Sequence, residues 1–449
     1  MNLHDLLVRR AARSGPIKVG VIGVGKFASM FLTQVLNTPE VHVVGVADLD
    51  VDKARGAFAR TGWPAERYST SSFVQAIRTG GTYVTDAADD LIAVPGLEVV
   101  LEITGNPVAG AHHAERAIDA GRHVIMVNVE ADCLLGPVLA EKAREAGVVY
   151  SMAYGDQPAL INELVDWCRT VGFDVVAAGK GTKYLPEFTT STPDTVWDHY
   201  GFTAEQVASG DFNPKMFNSF LDGTKSAIEM AAVANATGLL PQDEGLRFPP
   251  VDVDDLATVL RPRAVGGQLT RGGTVEVISS VNRDGGQLTR DLRWGVYVTF
   301  EARTDYAMHC FAEYGLRTDP SGRYGALYRP YHLIGMELGV SVASAVLRGE
   351  PTGTPRAFLG DVMSVAKRDL RAGEILDGEG GYMVYGKLAP VGASLAGRAL
   401  PIGLAGGFPL RNDVTAGAVL SYDDVDIDET VTAVKLRRQL ESAPSNQIP

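Results

Sequence analysis

Cysteine is scarce in this sequence of 449 residues, which has only Cys133, Cys168 and Cys310. The three lie far apart and match neither a zinc-binding nor a redox spacing. A fold held together by zinc or by many disulfides is therefore disfavoured, and we expect a reduced, cytoplasmic setting.

Long apolar runs are also missing. No stretch approaches the roughly 20 apolar residues that a membrane-spanning helix needs, so we expect no membrane partner. The first residues, MNLHDLLVRRAARSG, interrupt their apolar positions with charged ones and lack the apolar core of a signal peptide. We expect this segment to form a short amphipathic helix that covers the first domain.

An excess of basic charge is absent too. The net charge is −13, and no basic run occurs. Nucleic acid or an anionic membrane surface is therefore disfavoured as the main partner. What the chain has is ordinary globular material, with 45% hydrophobic and 21% charged residues and a length typical of about three domains.

A glycine-rich turn lies between an apolar strand and a helix in PIKVGVIGVGKFASMF. In its G-x-G-x-x-A spacing, Gly23 permits the tight turn, Gly25 lets backbone approach a pyrophosphate, and Ala28 lets the helix pack on the strand. The N-terminal end of the helix then faces the phosphates. The pattern predicts a dinucleotide-binding domain with cofactor contacts at Gly23, Gly25, Lys26 and Phe27.

The second predicted strand, VHVVGVADLD, leads into Asp48. An acid at this position can hydrogen-bond both ribose hydroxyls of NAD. Lys53 or Arg55, a few residues later, could instead reach a 2′-phosphate. The cofactor is therefore expected to be NADH or NADPH, with the choice open.

Strands and helices continue to alternate through the strand GVVYSMA, which predicts a doubly wound parallel α/β sheet of the Rossmann type. Ligands bind beyond the carboxyl ends of such strands. Two segments at these ends are TGNP and NVEAD. Their predicted cofactor-binding residues are Thr104, Gly105 and Asn128.

Two lysines lie near the end of the predicted strand FDVVAAGKGTKY. Lys180 and Lys183 suit an anionic substrate group or a carbonyl oxygen, and solvated loop lysines are the alternative. Arg329 and His332 lie at the start of a later apolar helix, where they suit a phosphate or carboxylate. Predicted strands GTVEVISSVN and RWGVYVTFEA complete an α+β substrate domain.

The stretch SFLDGTKSAIEMA (219–231) is predicted to begin a helix. At 3.6 residues per turn, Asp222, Lys225 or Ser226, and Glu229 share one stripe. The stripe is either a solvated surface or the wall of an active site. We favour the second interpretation, with the stripe facing the nicotinamide.

The C-terminal part contains an internal match. KRDLRAGEIL (367–376) and RNDVTAGAVL (411–420) correspond after a shift of 44 residues, and each has the form of a strand, an Ala-Gly turn and a strand. The match predicts a small, pseudo-twofold, β-rich module.

This module resembles the SAF domain, and the first two domains resemble homoserine dehydrogenases. The segments MNLHDLLVRRA, GVGKFASMF, VNVEADCLLGPVLA, GDQPALI and NPKMFNSFLDGTKSAIEMA are together similar to the 1-deoxy-D-xylulose 5-phosphate reductoisomerase-like (DRL) family. The likeness covers nearly the whole chain. It implies an NAD(P)H-dependent oxidoreductase that converts 1-deoxy-D-xylulose 5-phosphate to 2-C-methyl-D-erythritol 4-phosphate in isoprenoid precursor synthesis.

One departure bears on this resemblance. Homoserine dehydrogenases carry a lysine after the strand-end asparagine, where this chain has Val129. Asn128, Glu130 and Asp132 therefore fit reductoisomerase chemistry at least as well as homoserine reduction.

The implied reaction assigns roles to the candidates. A lysine near the carbonyl would stabilise the developing alkoxide and donate a proton, and Lys225 and Lys183 are the predicted lysines. Asp222 and Glu229 would hold Lys225, relay protons, or join Glu130 around Mg²⁺ or Mn²⁺. The predicted substrate-binding residues are Lys180, Asn218, Arg329 and His332.

Two rival functions stay open: a dehydrogenase of another small hydroxy or oxo acid or sugar acid, and a non-catalytic dinucleotide-sensing scaffold. We expect a homodimer with a phosphorylated or carboxylated small-molecule substrate. The predicted domains are an NAD(P)-binding domain with an N-terminal helix (1–155), a catalytic and oligomerisation domain whose last helix could return to the first (156–350), an SAF-like domain (351–440) and a flexible tail (441–449).

Overall fold

The computed structural model describes residues 2–209 and 212–443. They divide into two compact units. The first unit contains residues up to 160 together with 333–355 and 435–440, and the second contains 161–332, 356–434 and the described residues from 441. Residues 333–350, predicted as the end of the middle domain with a last helix that could return to the first domain, belong to the first unit.

The described residues contain fourteen strands. They are β1 Ile17–Ile22, β2 Val41–Ala47, β3 Tyr83–Thr85, β4 Val99–Glu102, β5 His123–Met126, β6 Tyr150–Met152, β7 Asp174–Thr182, β8 Thr274–Ser279, β9 Val296–Glu301, β10 Tyr324–Arg329, β11 Gly360–Ala366, β12 Ile375–Asp377, β13 Val384–Pro390 and β14 Gly406–Pro409.

The same residues contain seventeen α-helices. They are α1 Leu3–Ser14, α2 Lys26–Val35, α3 Val51–Arg60, α4 Phe73–Thr79, α5 Ala88–Ile92, α6 Pro107–Asp119, α7 Val129–Glu145, α8 Gln157–Thr170, α9 Val196–Tyr200, α10 Ala204–Ser209, α11 Pro214–Leu221, α12 Thr224–Thr237, α13 Leu256–Val259, α14 Asp305–Glu313, α15 Gly339–Arg348, α16 Val391–Ala396 and α17 Thr432–Ser442. None of them has the length and apolar character needed to span a bilayer.

The first unit is built on a six-stranded parallel sheet in the order β3-β2-β1-β4-β5-β6. The central strands are buried on both sides because helices cover both faces of a doubly wound sheet. This confirms the predicted Rossmann-type α/β sheet. The N-terminal helix α1 packs against α15 within this unit.

The second unit contains a mixed four-stranded sheet in the order β10-β9-β7-β8. β7 is parallel to β8 and antiparallel to β9, and β9 is antiparallel to β10. Helix α12 packs on β7 and β8. The strand β7 continues to Thr182, so Lys180 lies inside it rather than in the turn that the sequence predicted.

The stretch 219–231 is two helices rather than one. Gly223 has φ +88°, a left-handed conformation that ends α11 and starts α12. Asp222 therefore caps the first helix and lies outside the second, which carries Lys225 and Glu229. The prediction of a single polar stripe was wrong, because Gly223 in its left-handed conformation separates two helices.

The two matching C-terminal segments pair with each other. The backbone N–H groups of Leu370 and Val414 donate to one another's carbonyl oxygens at 2.8 and 3.0 Å. Asp413 accepts from the N–H of Ala372, and Asp369 from that of Ala416, both at 2.9 Å. This reciprocal exchange is the pseudo-twofold arrangement that the internal match predicted. The same part of the chain contains two two-stranded antiparallel sheets, β11-β13 and β12-β14. The SAF assignment itself stays a prediction.

The predicted flexible tail begins inside a helix. Residues 441 and 442 belong to α17, and residues 444–449 lie outside the described part of the chain.

Candidate functional site

The glycine turn after β1 has the geometry of a phosphate-binding loop. Gly23 has φ +94°, and a Cβ there would lie 2.9 Å from backbone atoms of Ile103 and Thr104. A Cβ on Gly25 would meet no atom within 4 Å, so an open space adjoins this backbone. Lys26 opens α2 with no side-chain cap on its N–H groups. The exposed amides and the open space fit a pyrophosphate.

Asp48 lies beside this turn. Its Oδ2 accepts from the N–H of Val24 at 2.6 Å, and its Oδ1 accepts from the N–H of Asp50 at 2.9 Å. Each carboxylate oxygen can accept a further bond. The half-buried carboxylate is therefore held in place with capacity left for two ribose hydroxyls, as expected for a dinucleotide site.

Glu102, which the sequence analysis missed, organises the next strand end. It is fully buried at the end of β4. Its oxygens accept from Thr104 Oγ1 at 2.6 Å and from Asn128 Nδ2 at 3.0 Å, and His113 Nδ1 lies 3.1 Å away. Asn128 also caps α7 by accepting from the N–H of Ala131 at 3.0 Å. Two predicted cofactor-binding side chains thus share one buried carboxylate, which fixes their positions.

A second buried carboxylate lies one turn into α7. Burial raises the pKa of Asp132 to about 7, although a hydrogen bond from Tyr150 at 2.9 Å opposes the shift. The other oxygen, Oδ2, has no hydrogen-bond partner among the described protein atoms. Asp132 lines a small cavity with Met126 and Met152 at the carboxyl ends of β5 and β6. Glu130, a predicted catalytic residue, is half-buried on the same helical turn.

In the second unit, α12 is almost completely enclosed. Of its residues, Lys225 alone is not buried. Lys225 lies in the first turn, directly after the Gly223 turn. Lys225 is therefore the one partly exposed residue of this helix.

Two lysine–carboxylate pairs hold this region together. Lys180 of β7 pairs with Glu229 of α12, and both side chains are buried. Lys367 Nζ lies 2.7 Å from Asp222 Oδ2 and also donates to the carbonyl oxygens of Ser191 and Gly381 at 2.8 Å. Burial raises the pKa of Asp222, and the ammonium of Lys367 opposes this. Lys367 lies 145 positions after Asp222, so sequence spacing gives no signal for this pair.

These pairs change the expected roles. The burial and pairing of Lys180 favour a structural role over the predicted substrate contact. Asn218 is also buried, and its amide donates to the carbonyl oxygens of Ser191 and Gly380 at 3.1 and 2.9 Å. It therefore joins two chain segments.

The predicted metal ligands are not grouped. Asp222 and Glu229 each face a lysine ammonium. Within the described ranges, no three His, Cys, Asp or Glu side chains are placed to hold a metal ion. This donor set does not fit Mg²⁺ or Mn²⁺, which prefer several oxygen ligands.

A cluster of two cations and aromatic rings lies beyond the end of β7. Arg293 lies 5.6 Å from the ring centre of Tyr200 and 4.8 Å from that of Trp294, and Lys183 Nζ lies 5.9 Å from the Tyr200 ring. Lys183 donates to the carbonyl oxygen of His199 at 2.6 Å. Burial and the charge of Arg293 lower the pKa of Lys183. Neither cation has a carboxylate partner in the described part of the chain.

The charge of Asp222 acts on the tyrosines in and near this cluster. Burial raises the pKa of Tyr200 and Tyr184 to about 12, and the charge of Asp222 adds to both shifts. Asp222 therefore lies within electrostatic reach of the rings. Lys225 follows three residues later.

An unusual backbone conformation holds a second pair of aromatic rings, Tyr184 and Phe248. Phe248 is buried with φ +51°, a strained value for a bulky side chain, and its ring stacks on Tyr184 at 3.8 Å. Glu276 holds this turn by accepting from the N–H groups of Arg247 and Phe248 at 3.0 and 3.4 Å. A Cβ at Gly223 would lie 3.3 Å from both rings, so they fix the turn before α12.

Arg329 and His332 lie near the cation cluster in the same unit. His332 Nδ1 is 2.7 Å from the carbonyl oxygen of Trp294, the neighbour of Arg293. Arg329 ends β10, and its guanidinium lies 5.9 Å from the ring centre of Tyr331. Both are partly exposed and stay predicted substrate contacts. Arg293 itself was missed, since an arginine in a long loop carries no local signal.

Two family models match the chain. Residues 155–338 match the model described as the catalytic domain of the oxidoreductase DRL, and residues 23–152 match the NAD-binding domain of homoserine dehydrogenase. The chain therefore contains a catalytic domain of the DRL oxidoreductase type and an NAD-binding domain of the homoserine dehydrogenase type. The dinucleotide cofactor predicted from the glycine turn is thereby supported.

Solved structures similar to this chain are distant. A putative oxidoreductase, yvaA, from Bacillus subtilis is 14% identical, with 74% of this chain and 89% of that chain covered and a TM-score of 0.35. The NADPH complex of 1-deoxy-D-xylulose 5-phosphate reductoisomerase from Zymomonas mobilis is 17% identical, with 49% and 57% covered and a TM-score of 0.33. An apo scyllo-inositol dehydrogenase from Lactobacillus casei is 14% identical, with 38% and 47% covered and a TM-score of 0.26.

The chain thus spans about half of the length of the last two of these proteins. No curated protein matches it. Identities and TM-scores this low leave the function to be argued from the residues themselves.

The two glycines of the nucleotide loop are expected to give different outcomes when substituted. Gly23→Ala places a Cβ against backbone in a left-handed conformation and should destabilise the protein by about 1–3 kcal/mol. Gly25→Ala places its Cβ in open space, so the fold should persist while NAD(P)H binds roughly tenfold more weakly or worse. Thermal unfolding and fluorescence titration with cofactor measure the two effects. Unchanged cofactor affinity in Gly25→Ala would contradict this assignment of the loop.

Asp132 predicts a pH-dependent stability. The pKa of Asp132 is raised in the folded protein from 3.8 to about 7, so the folded state holds this proton more tightly than the unfolded state. The resulting contribution to the free energy of unfolding is fully present below pH 4 and is lost as the pH rises through 7. Asp132→Asn should therefore gain stability relative to wild type between pH 4 and pH 7, by roughly 1.4 kcal/mol per pH unit, and hold that gain above pH 7. Thermal unfolding across this range measures it, with the exposed Asp119→Asn as the control for losing one carboxylate. A constant difference at all pH values would argue against a buried acid with a raised pKa.

Proposed function

We propose that this protein reduces the carbonyl group of a small phosphorylated substrate with NAD(P)H. The specific reaction we propose is the reductoisomerase conversion of 1-deoxy-D-xylulose 5-phosphate to 2-C-methyl-D-erythritol 4-phosphate. The observation that carries the proposal is the pair Lys183 and Arg293, two neighbouring cations with no acidic partner in the described residues.

The cation pair suits a dianionic group. Two positive charges held together repel each other, and an anion between them removes that cost. Arg293 is oriented by the rings of Tyr200 and Trp294 at 5.6 and 4.8 Å, so its fork of N–H donors loses little freedom on binding. A phosphate accepts several charge-assisted hydrogen bonds at once. His332 and Arg329 extend the same region.

Lys225 is the proposed electrophile and proton donor. It is the accessible residue of α12, and the ammonium can hydrogen-bond a carbonyl oxygen and stabilise the charge that develops there. Asp222 and Glu229 contribute indirectly. By pairing with Lys367 and Lys180, they fix the helix that carries Lys225.

The reaction then balances with the residues and one cofactor. The nicotinamide supplies the hydride. The rearrangement of the ketose phosphate moves a carbon–carbon bond and yields an aldehyde of the same composition. Reduction adds a hydride to the aldehyde carbon, and Lys225 adds a proton to its oxygen. The preference for NADH or NADPH stays a prediction, with Asp48 favouring NADH.

An activity assay distinguishes this proposal from its rivals. Purified protein should oxidise NAD(P)H with 1-deoxy-D-xylulose 5-phosphate, measured with and without Mg²⁺ or Mn²⁺, and fosmidomycin should raise its unfolding temperature. Oxidation with a small oxo acid but not with the ketose phosphate would favour a dehydrogenase of another substrate. Cofactor binding with no turnover of either substrate would favour the scaffold.

Three lysine variants separate catalysis from stability. Lys225→Met should fold normally and bind cofactor, yet lose about 10²–10⁴-fold in kcat because the positioned acid is gone. Lys180→Met leaves Glu229 charged and buried, and should cost about 3–5 kcal/mol of stability. Lys387→Met, at an exposed position of β13, is the matched control and should do neither. Full activity in Lys225→Met would remove Lys225 from the mechanism.

The cation pair predicts an effect on KM. Arg293→Met should raise KM for a phosphorylated substrate by roughly 10–100-fold, because a hydrogen bond to a charged group contributes about 1.5–3 kcal/mol. Lys183→Met should act in the same direction, with kcat changing less than KM. Steady-state kinetics measure both constants. A loss confined to kcat would place these cations at the reacting carbonyl instead of at the phosphate.

A further inference from the structure

A second group of cations lies on the other face of the mixed sheet. Neighbouring residues on a strand point to opposite faces. In the register of β10, β9 and β7, Arg329 and Lys180 share a row with Val296, whereas Tyr328 shares the next row with Tyr297. Tyr328 is therefore on the face away from the Lys180–Glu229 pair and α12.

This face carries a cleft of about 230 Å³ in which Arg290, Arg317 and Tyr328 meet. Its apolar lining comes from Val253, Ala257 and Ala326. The volume is below the usual range for drug-sized ligands, so a molecule of a few heavy atoms fits it.

The cleft has a surplus of positive charge. Arg290 and Arg317 both contact one oxygen of Asp254, at 2.6 and 2.5 Å, so two cations share one carboxylate. Arg290 also donates to the hydroxyl of Tyr328 at 3.1 Å. Each guanidinium has five N–H donors, and these contacts use a minority of them. The remaining donors are available for an anion that enters the cleft.

We propose that this cleft binds a small organic anion, a carboxylate or a phosphate ester with a short apolar part, separately from the catalytic site. The guanidinium groups and the Tyr328 hydroxyl would hold the anionic oxygens, and the apolar lining would cover the carbon skeleton. Asp254 competes with the anion for the same donors. It keeps the cleft selective for ligands that bind more than one guanidinium N–H.

Calorimetric titration with inorganic phosphate and with pyruvate tests the proposal. The full chain carrying Lys183→Met and Arg293→Met is used as the background and is saturated with NAD(P)H, so that neither the proposed catalytic anion site nor the nucleotide loop contributes. We expect one bound anion per chain, with at least tenfold weaker affinity in Arg317→Met and in Arg290→Met. Arg303→Met, which removes an exposed arginine paired with Asp174, should leave binding unchanged.

Asp254→Asn distinguishes an anion-binding cleft from a purely structural group of ion pairs. Removing the competing carboxylate should strengthen anion binding severalfold, and added salt should weaken it. Binding of phosphate alone would identify the ligand as a phosphate ester, and binding of pyruvate alone as a carboxylate. Absence of binding, or binding that Arg317→Met leaves unaltered, would overturn the proposal. Neither result depends on the activity proposed above, which Lys225→Met tests by itself.

Discussion

The burial of α12 is the constraint on which the second unit depends. A helix enclosed on nearly every side cannot keep an unpaired charge, because a desolvated ion costs several kcal/mol. Glu229 on the helix and Asp222 just before it are therefore each matched by a lysine from another element, Lys180 and Lys367. These pairs fix where the helix begins and leave Lys225 as its accessible residue.

The same rule distinguishes the other charged residues that have a structural role from those that we propose bind a ligand. Cations that are buried and paired with carboxylates hold elements together. Lys183 and Arg293 are different, because aromatic rings and a carbonyl oxygen orient them while no carboxylate in the described chain neutralises them. The repulsion between these two cations destabilises the folded protein. An anionic ligand bound between them would remove that repulsion. Pairing is therefore a better guide to the binding site than residue type.

Strain and buried carboxylates support both the nucleotide loop and the proposed substrate site. In the first unit, Glu102 fixes Thr104 and Asn128 at the edge of the parallel sheet. In the second, Glu276 holds Phe248 in a left-handed conformation against Tyr184. Both acids lie inside ordinary strand patterns, where nothing in the local sequence distinguishes them from surface carboxylates.

The sequence alone determined the parallel sheet, the nucleotide loop and the C-terminal pairing, because apolar periodicity, glycine spacing and an internal match are local signals. The roles of Lys225 and Lys183 also came from local reasoning, and they stay predictions. Tertiary structure decided the partners: Lys367 meets Asp222 across 145 positions, and Lys180 turns inward to Glu229. Whether a charge is neutralised depends on which residues folding places beside it. Sequence spacing does not show these contacts, because the partners lie far apart along the chain.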